Sequence, residues 1–367
     1  MRVAVHAGQL LQPVPGGIGR YVRSLLGALP GAGVDPVPFG AGPAPAGLPG
    51  DLPERWHDLG RPGGGLRYEL WHRLRRPAVG VPGGVVHATS LAVPPAGGRP
   101  LVVTVHDLVV LRQPEHLTRR GVAFHRRGLE LTRREASVVV VPSEFGRDDL
   151  ARAGFDPARV QVAPHGVELP APAPDPAAVL QGLGIRPPYL LFVSTIEPRK
   201  GVGDVLEAHR RLRRLHPDLG LVLVGAPGWG PPPDLGGPGV LAVGRVDDDS
   251  RLDVLYRQAV ALAHPASYEG FGLTPLEAMA RGCPVVVSDA ACLPEVVGDG
   301  GIVVPTGDVG ALADALGGLI GGGAERARWS AAGLARAGGF TWEASALAHR
   351  RAYEAARDLG PEGSGGR

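Results

Sequence analysis

Cysteine, lysine and long apolar segments are scarce in this chain of 367 residues. Its two cysteines, Cys283 and Cys292, each lie beside a short apolar run, and two are too few for a disulfide framework or a metal site. We therefore expect both thiols to be reduced and structural. No run approaches the roughly 18 apolar residues of a membrane-spanning helix. The first six residues are typical of a short strand rather than a signal peptide, so the expected location is the cytoplasm.

Net charge is also low. The formal value of +2 argues against a strong overall attraction to nucleic acid. Residues 1–185, however, carry 20 Arg against 15 acidic residues, so the front half is better suited to an anionic partner. Of the 38 basic residues, Lys200 is the single lysine. Because lysine is a compact point charge that suits phosphate, we interpret Lys200 as functional, with chance composition as the alternative.

Short apolar runs alternate with helical patterns in both halves of the chain. This alternation predicts βαβ units and an α/β fold with parallel sheets. The proline-rich run at 169–176 cannot continue a helix or a central strand, so it separates the halves. We predict two Rossmann-like domains facing each other across a cleft. Their predicted bounds are 1–168 and 189–340, with a Pro/Ala-rich linker at 169–188 and, over 341–367, a helix packed back on the first domain and a frayed tail.

Two segments of the first half follow predicted strands. Gly16 and Gly17 precede a predicted helix, whose free N–H groups and positive dipole end suit a phosphate, although a plain glycine-rich turn is an equal alternative. His106 follows the apolar run at 101–105, and ligands bind beyond the carboxyl ends of parallel strands. There it can donate to a hydroxyl or a carbonyl and titrates near neutrality. The alternative is a capping or core-edge histidine.

A pair of cations, Arg199 and Lys200, follows the apolar run at 190–193 in the second half. At the carboxyl edge of a parallel sheet such a pair suits a diphosphate. Arginine can bind it through two parallel hydrogen bonds, and lysine can act as a mobile charge. A solvated basic turn is the alternative interpretation.

Two carboxylates, Glu269 and Glu277, lie eight residues apart around a glycine-rich turn. Thr274 is typical of a helix N-cap and Pro275 of the first helical position. The glycines before them free the backbone to bend around a ligand. Glu269 then suits sugar hydroxyls and Glu277 suits ribose hydroxyls. For Glu277 a capping box with Thr274 is the competing interpretation.

Two charged runs complete the pattern. We interpret the acidic run at 247–249 as N-terminal charge for the helix that follows, rather than as a metal site. Arginines repeating every seven residues line one face of a helix predicted at 118–136. They are Arg119, Arg120, Arg126, Arg127, Arg133 and Arg134. Two interpretations stay open, a solvated face or contact with anionic lipid or acceptor phosphate.

These motifs, in the order in which they occur along the chain, resemble those of retaining GT-B glycosyltransferases of family four. The resemblance rests on the E-x7-E segment at 269–277 with Gly16, Gly17, His106 and the segments 141–145, 164–167, 197–201 and 293–297. It covers nearly the whole chain. The sequence Glu-Pro-Arg-Lys at 197–200 is similar to the branch containing mannosyl- and rhamnosyltransferases. Many family members carry arginine where this chain has Thr195, so the equivalence of Arg199 to that arginine is open.

The resemblance implies a nucleotide-sugar donor held mainly by the second domain and an acceptor held mainly by the first. It also implies retention of anomeric configuration, with no metal or other cofactor. Arg199 and Lys200 would stabilise the leaving diphosphate, and Glu269 would bind the donor sugar beside His106. The implied donor-binding positions are Gly16, Gly17, Thr195, Gly225, Val246, Gly270, Phe271, Gly272, Leu273, Thr274 and Glu277.

We therefore predict hexose transfer, with GDP-mannose as the first candidate donor. The acceptor class stays open between a lipid-linked molecule and a natural product. If the arginine helix contacts anionic lipid, the contact is peripheral and on the inner face of the membrane, with a solvated helix face as the alternative. Two alternative functions also stay open, a nucleotide-sugar epimerase on the same scaffold and a non-catalytic nucleotide-binding protein.

Overall fold

The chain forms two units, each built around one parallel sheet. The computed structural model describes residues 1–228 and 234–360. The first unit comprises Met1–Gly166 and the chain from Thr341 onward, and the second comprises Val167–Phe340. The α/β fold with parallel sheets predicted from the alternating runs is confirmed.

The first unit carries its sheet in the segment before Gly166. Its strands and α-helices are, in chain order, β1 (Arg2–His6), α1 (Gly16–Ala28), β2 (Asp35–Gly40), β3 (His57–Asp58), α2 (Gly64–Leu74), β4 (Val85–Ala88), β5 (Leu101–Thr104), α3 (Val109–Arg112), α4 (Arg119–Glu135), β6 (Val138–Val141), α5 (Glu144–Arg152) and β7 (Val160–Val162). The strands pair in parallel in the order β3-β2-β1-β4-β5-β6-β7. On β6, Val138 and Val140 pack into one core, whereas Val139 and Val141 pack into the other. Burial on both faces explains why β6 is an unbroken apolar run in the sequence.

Strand β2 was not predicted, because its sequence Asp-Pro-Val-Pro-Phe-Gly contains two prolines. Its bonds to β1 use alternate residues: Asp35 N–H donates to Met1, and Phe39 accepts from Ala7. The prolines lie between these positions, so their nitrogen atoms face the opposite side. On that side β3 pairs with β2 only from Phe39 onward. The N–H groups that the two prolines lack are therefore not needed for a hydrogen bond between strands.

The second unit contains the second parallel sheet. Its elements are α6 (Pro176–Gly182), β8 (Tyr189–Val193), α7 (Val202–Leu212), β9 (Gly220–Val224), β10 (Val240–Gly244), α8 (Asp249–Gln258), β11 (Ala261–His264), α9 (Leu273–Ala280), β12 (Val285–Ser288), α10 (Leu293–Val297), β13 (Ile302–Val304), α11 (Val309–Gly321) and α12 (Gly323–Ala337). The strand order is β10-β9-β8-β11-β12-β13. On β8, Tyr189 and Leu191 face the core that contains α8 and α9, whereas Leu190 and Phe192 face the core that contains α7 and α11.

The segment predicted as a linker, 169–188, lies in the second unit and contains α6. The Asp175 carboxylate caps this helix by accepting from the Ala178 N–H at 3.0 Å. Pro176 takes an initial helical position, where its missing N–H is not needed. Leu180 is buried in the same core as α8. The last proline of the run, Pro176, is therefore the first residue of a helix that packs into the core of the second unit.

The last helix, α13 (Trp342–Leu359), belongs to the first unit. The Thr341 hydroxyl caps it by accepting from the Ala344 N–H at 3.1 Å. Trp342 and Tyr353 are buried in the core that α1 also enters. The frayed tail predicted after this helix lies, from residue 361, outside the described residues. No helix within the described ranges is long and apolar enough to cross a bilayer.

Candidate active site

Most of the predicted donor-binding positions lie at one edge of the second sheet. Strands β10, β9, β8 and β11 are neighbours and run in parallel, so their carboxyl ends meet there. Lys200 follows β8, Gly225 follows β9, Val246 follows β10 and Glu269 follows β11. Topology therefore brings together residues that are up to 69 positions apart in sequence.

The turn that carries the cations can only be closed by glycine. Pro198–Lys200 forms one 3-10 turn, and Gly201 follows it with φ of 73°. A Cβ on Gly201 would lie 2.3 Å from the carbonyl oxygen of Pro265. This close approach packs the turn against the segment after β11, which carries Glu269.

Arg199 and Lys200 form a charge cluster with Glu197 and Glu269. Lys200 Nζ lies 2.6 Å from Glu269 Oε1, and Arg199 Nη1 lies 3.4 Å from Glu269 Oε2. Arg199 also donates to Glu197 Oε1 at 2.6 Å and to the Tyr268 carbonyl at 2.8 Å. The Arg199, Lys200 and Glu269 side chains are only 10–16% exposed. Two cations and two carboxylates thus neutralise each other in this cluster.

The Glu269 carboxylate is ionised within the charge cluster. Burial by itself raises its pKa, but the charges of Lys200 and Arg199 outweigh burial and hold the pKa well below its usual range. His264 ends β11, and its Nε2 lies 3.3 Å from Glu269 Oε1 without hydrogen-bond geometry. Burial lowers the pKa of His264, so a neutral imidazole lies behind the carboxylate.

Helix α9 begins earlier than predicted. Its N-cap is Gly272, whose φ of 94° suits glycine, and its first residue is Leu273. The prediction that Thr274 is the N-cap is therefore wrong, and the capping box that depends on it does not form. Glu277 lies in the second turn, where its carboxylate accepts from the Tyr256 hydroxyl at 3.2 Å.

Other positions of this unit that were predicted to bind the donor lie in the segments around the charge cluster. Gly225 has φ of 152°, and a Cβ there would lie 1.8 Å from the Ser194 carbonyl oxygen, so only glycine lets β9 end against Thr195. Thr195 is exposed. Gly270 and Gly272 lie in the turn between Glu269 and α9. The Phe271 side chain is buried in the core, which leaves only its backbone for a ligand.

The predicted site residues of the first unit lie at the carboxyl edge of its own sheet. Gly16 and Gly17 are exposed at the start of α1, two residues earlier than the predicted helix start, and no acidic side chain lies in that first turn. His106 follows β5, and its Nε2 lies 2.9 Å from the Thr89 carbonyl oxygen. Because a carbonyl only accepts, Nε2 carries the hydrogen. Burial lowers the pKa of His106, so the ring is neutral and its Nδ1 is a hydrogen-bond acceptor.

Two family models match this chain, one in each half. The model for Glycosyltransferase Family 4 covers residues 15–170, and the model for Glycosyl transferases group 1 covers residues 181–336. O-antigen chain mannosyltransferase B of Escherichia coli is 32% identical over 258 residues, which are 66% of this chain and 67% of that protein. The chain belongs to the group 1, family 4 glycosyltransferases.

Two further comparisons concern relatives and fold. The D-inositol 3-phosphate glycosyltransferase of Segniliparus rotundus is 31% identical over 71% of this glycosyltransferase and 62% of its own length. The structure of Anabaena Alr3699/HepE in complex with UDP-glucose matches with a TM-score of 0.70 and 20% identity, over 96% of this glycosyltransferase and 98% of that chain. The predicted GT-B architecture is confirmed.

Sequence reasoning missed several residues that shape these two edges. In this glycosyltransferase, Tyr21 lies with its ring centroid 4.8 Å from that of His106 and 4.8 Å from that of His165. The Cys292 sulfur lies 3.2 Å from the Glu269 carbonyl oxygen, and neither this thiol nor His264 was predicted to lie at the site. Lone polar residues in apolar runs gave no signal of these contacts. Both cysteines are reduced and buried, as predicted.

The two charged runs have separate outcomes. Asp248 is the N-cap of α8, and its carboxylate accepts from the N–H groups of Ser250 and Arg251 at 2.9 and 3.3 Å. This confirms the capping interpretation of the acidic run. Within residues 1–228 and 234–360, no three His, Cys, Asp or Glu side chains are grouped as a metal site would require.

The arginine helix of the glycosyltransferase is α4, and its two rows differ. Arg120, Arg127 and Arg134 pair with carboxylates. Arg119, Arg126 and Arg133 are exposed, and no acidic side chain of the described ranges pairs with them. A groove of about 660 Å³ between α2 and α4 lies beside these rows. Its lining includes Leu66, Leu70, Arg73, Leu74, Phe124 and Arg127.

Proposed function

We propose that this glycosyltransferase moves a hexose from a nucleotide diphosphate sugar to an acceptor hydroxyl, with retention and without a metal. The observation that carries the proposal is the pair Arg199 and Lys200, nearly buried at the carboxyl edge of the second sheet and facing Glu269. The leaving diphosphate gains negative charge in the transition state. Fixed cations in a site with little water stabilise that charge more than they stabilise the intact donor.

In the proposed mechanism, donor binding exchanges the partners of the charge cluster. The diphosphate takes the place of Glu269 beside Lys200 and Arg199. The Glu269 carboxylate, next to His264, then accepts hydrogen bonds from hydroxyl groups of the sugar. Glu277 binds the ribose. In the first unit, His106 Nδ1 accepts a hydrogen bond from a substrate hydroxyl. After this exchange the two cations are paired with the diphosphate and the Glu269 carboxylate is hydrogen-bonded to sugar hydroxyls, so no buried charge lacks a partner.

GDP-mannose is our first candidate donor. Its support is the sequence Glu-Pro-Arg-Lys at 197–200 and the similarity to a mannosyltransferase of Escherichia coli. Uridine nucleotides are the competing class, because the structural neighbour from Anabaena was solved with UDP-glucose.

The donor is tested by thermal unfolding with GDP, UDP and ADP, and with inorganic pyrophosphate as the matched control for the diphosphate alone. We expect GDP to raise the unfolding temperature most, because a ligand at 100 times its Kd stabilises the folded state by about 2.7 kcal/mol. A larger shift with UDP would refute the guanine donor. No shift with any nucleotide would refute the proposed site.

Transfer itself is tested by incubating GDP-mannose with a total lipid extract, with and without EDTA. We expect GDP release and a product with the anomeric configuration of the donor, read by NMR, at the same rate in EDTA. Loss of activity in EDTA would contradict metal independence, and an inverted product would contradict retention. An epimerised nucleotide sugar formed without acceptor would favour the epimerase alternative.

We further propose that α4 contacts an anionic membrane surface, where a lipid-linked acceptor is presented. The exposed row of Arg119, Arg126 and Arg133 supplies the charge. Leu66 and Leu74, which are 61% and 63% exposed beside the α2–α4 groove, supply an apolar contact. Each arginine near such a surface contributes about 1 kcal/mol.

Replacing Arg119, Arg126 and Arg133 by glutamine is therefore expected to weaken binding to phosphatidylglycerol vesicles by on the order of 10²-fold. The measurement is vesicle flotation, with phosphatidylcholine vesicles as the uncharged comparison. Glutamine at Arg210, Arg211 and Arg214, exposed on the second unit, removes the same charge and serves as the matched control. Equal binding by both triple variants would refute the contact.

A further inference from the structure

A buried chain of hydrogen bonds joins α13 to α1 within the first unit. The Tyr353 hydroxyl lies 2.9 Å from His87 Nδ1, and His87 Nε2 lies 2.8 Å from Thr104 Oγ1. Thr104 Oγ1 lies 2.9 Å from the Tyr21 hydroxyl, which lies 2.9 Å from His349 Nε2. All five side chains are buried. We call this chain of five side chains the buried relay.

The donor and the acceptor of each hydrogen bond in the buried relay follow from the contacts of His349. His349 Nδ1 lies 2.8 Å from the Ser345 carbonyl oxygen, which only accepts, so Nδ1 carries the hydrogen. In a neutral ring Nε2 is then an acceptor, and Tyr21 donates to it. The Tyr21 oxygen accepts from Thr104, which in turn accepts from His87 Nε2. Each hydroxyl therefore has one defined donor direction.

The charge states agree with this assignment. Burial lowers the pKa of His349 to about 4 and holds the pKa of His87 well below its usual range. Both rings are therefore neutral at neutral pH, with the hydrogen on Nδ1 of His349 and on Nε2 of His87. The remaining acceptor, His87 Nδ1, is met by the Tyr353 hydroxyl.

Tyr21 connects the buried relay to the candidate active site. Its ring meets that of His106 edge to face, with centroids 4.8 Å apart and planes at 80°. The hydroxyl bonds to Thr104 and His349 set the position of this ring, because a buried hydroxyl that leaves them loses both partners. His106 is thus supported on one side by Tyr21 and held on the other by its bond to the Thr89 carbonyl.

We propose that His349 is a positioning residue for His106 and acts through Tyr21. The inference rests on the proposed function, in which His106 Nδ1 accepts a hydrogen bond from a substrate hydroxyl. Without the acceptor at His349 Nε2, the Tyr21 ring shifts and the His106 ring loses its orientation. A misplacement of about 1 Å can cost as much as 10²-fold in rate.

The test compares His349→Leu with His349→Gln. Leucine removes the acceptor, whereas the glutamine amide oxygen reaches the position of Nε2 and can accept from Tyr21. We expect His349→Leu to lower kcat by roughly 10-fold with KM for the donor little changed, because orientation in the transition state is lost rather than ground-state binding. We expect His349→Gln to recover most of that loss.

Tyr353→Phe is the matched control, because it removes a buried hydroxyl from the same helix but leaves the Tyr21–His349 bond. If the buried relay only holds α13 in place, Tyr353→Phe and His349→Leu will lower the unfolding temperature alike and leave kcat unchanged. That result would overturn the proposal. If His349→Leu does not fold, Tyr21→Phe, which keeps the ring and removes the hydroxyl, tests the same link with the same expectation.

A readout that does not depend on activity separates this proposal from the proposed function. In full-length protein with 15N-labelled histidine, we expect His349→Leu to change the ring nitrogen shifts of His106, and Tyr353→Phe to leave them unchanged. Unchanged His106 shifts in His349→Leu would overturn the positioning role. Normal transfer by His106→Ala would instead refute the proposed role of His106, while the shifts still report on positioning.

Discussion

Replacing Lys200 by alanine is expected to lower the rate of sugar transfer by on the order of 10²–10³, by analogy with the loss of one oxyanion donor. Lys200 is the only lysine in the chain. Its Nζ lies 2.6 Å from Glu269 Oε1, at the edge of the second sheet that is proposed to hold the diphosphate. The measurement is the initial rate of nucleoside diphosphate release with the donor and a lipid extract. We expect the loss mainly in kcat, because the charge develops in the transition state.

Two companion variants make the Lys200 result specific. Lys200→Met keeps the length and packing of the side chain without its charge, so it should be as slow as Lys200→Ala. Arg210→Ala removes an exposed cation from α7 of the same unit, where it pairs with Glu207, and should keep normal transfer. If Lys200→Met retains near-normal kcat, the charge of Lys200 does not stabilise a leaving group and the proposed clamp is wrong.

Replacing Glu269 by glutamine is expected to impair both stability and transfer. It leaves Lys200 and Arg199 nearly buried without the carboxylate that they share, and breaking a buried ion pair from one side costs about 3–5 kcal/mol. Transfer should fall because the sugar loses an ionised acceptor for its hydroxyls. The measurements are the urea midpoint of the second unit and kcat with the donor.

A double variant distinguishes the two effects of Glu269. In Glu269→Gln with Lys200→Met, the unpaired ammonium is absent, so the loss of stability should be smaller than in Glu269→Gln alone. Activity should stay low, because both proposed donor contacts are missing. A double variant that is no more stable than Glu269→Gln would show that the Lys200–Glu269 pair does not stabilise the fold. Recovery of activity in the double variant would refute both proposed roles.

Most strands that sequence reasoning located are buried on both faces, although β10 was located and is half-exposed at the edge of its sheet. On β6 and β8 every residue packs into one of two cores, so the apolar run is continuous. Such a run can be recognised from neighbouring residues alone. Strand β2 was missed because proline usually argues against a strand. The two prolines of β2 are tolerated because their nitrogen atoms face the side on which β3 pairs only from Phe39 onward, and the sequence does not show which strand lies on which side. The linker prediction missed α6 for a similar reason. Whether Leu180 is buried depends on α8, which is about 70 residues away in sequence.

The candidate site likewise has features that the sequence alone indicated and features that only the tertiary structure decides. The residue types and spacing of Lys200, Glu269 and Glu277 are enough to indicate a diphosphate and sugar site. The local signal at Thr274 was misleading, since a threonine before proline suits an N-cap, but Gly272 with its positive φ starts α9 earlier. Capping depends on backbone angles that neighbouring elements impose, and residue type states only a preference.

Sequence by itself determined the α/β class, the order of the motifs and the cation pair at the end of β8, because each depends on residues close together in the chain. Only the tertiary structure decided how those cations are paired and which nitrogen of His106 carries the hydrogen. The Lys200–Glu269 bond spans 69 residues, and the Tyr21–His349 bond spans 328. Partners so far apart leave no periodic signal, and it is the burial of both that fixes charge state and hydrogen-bond direction.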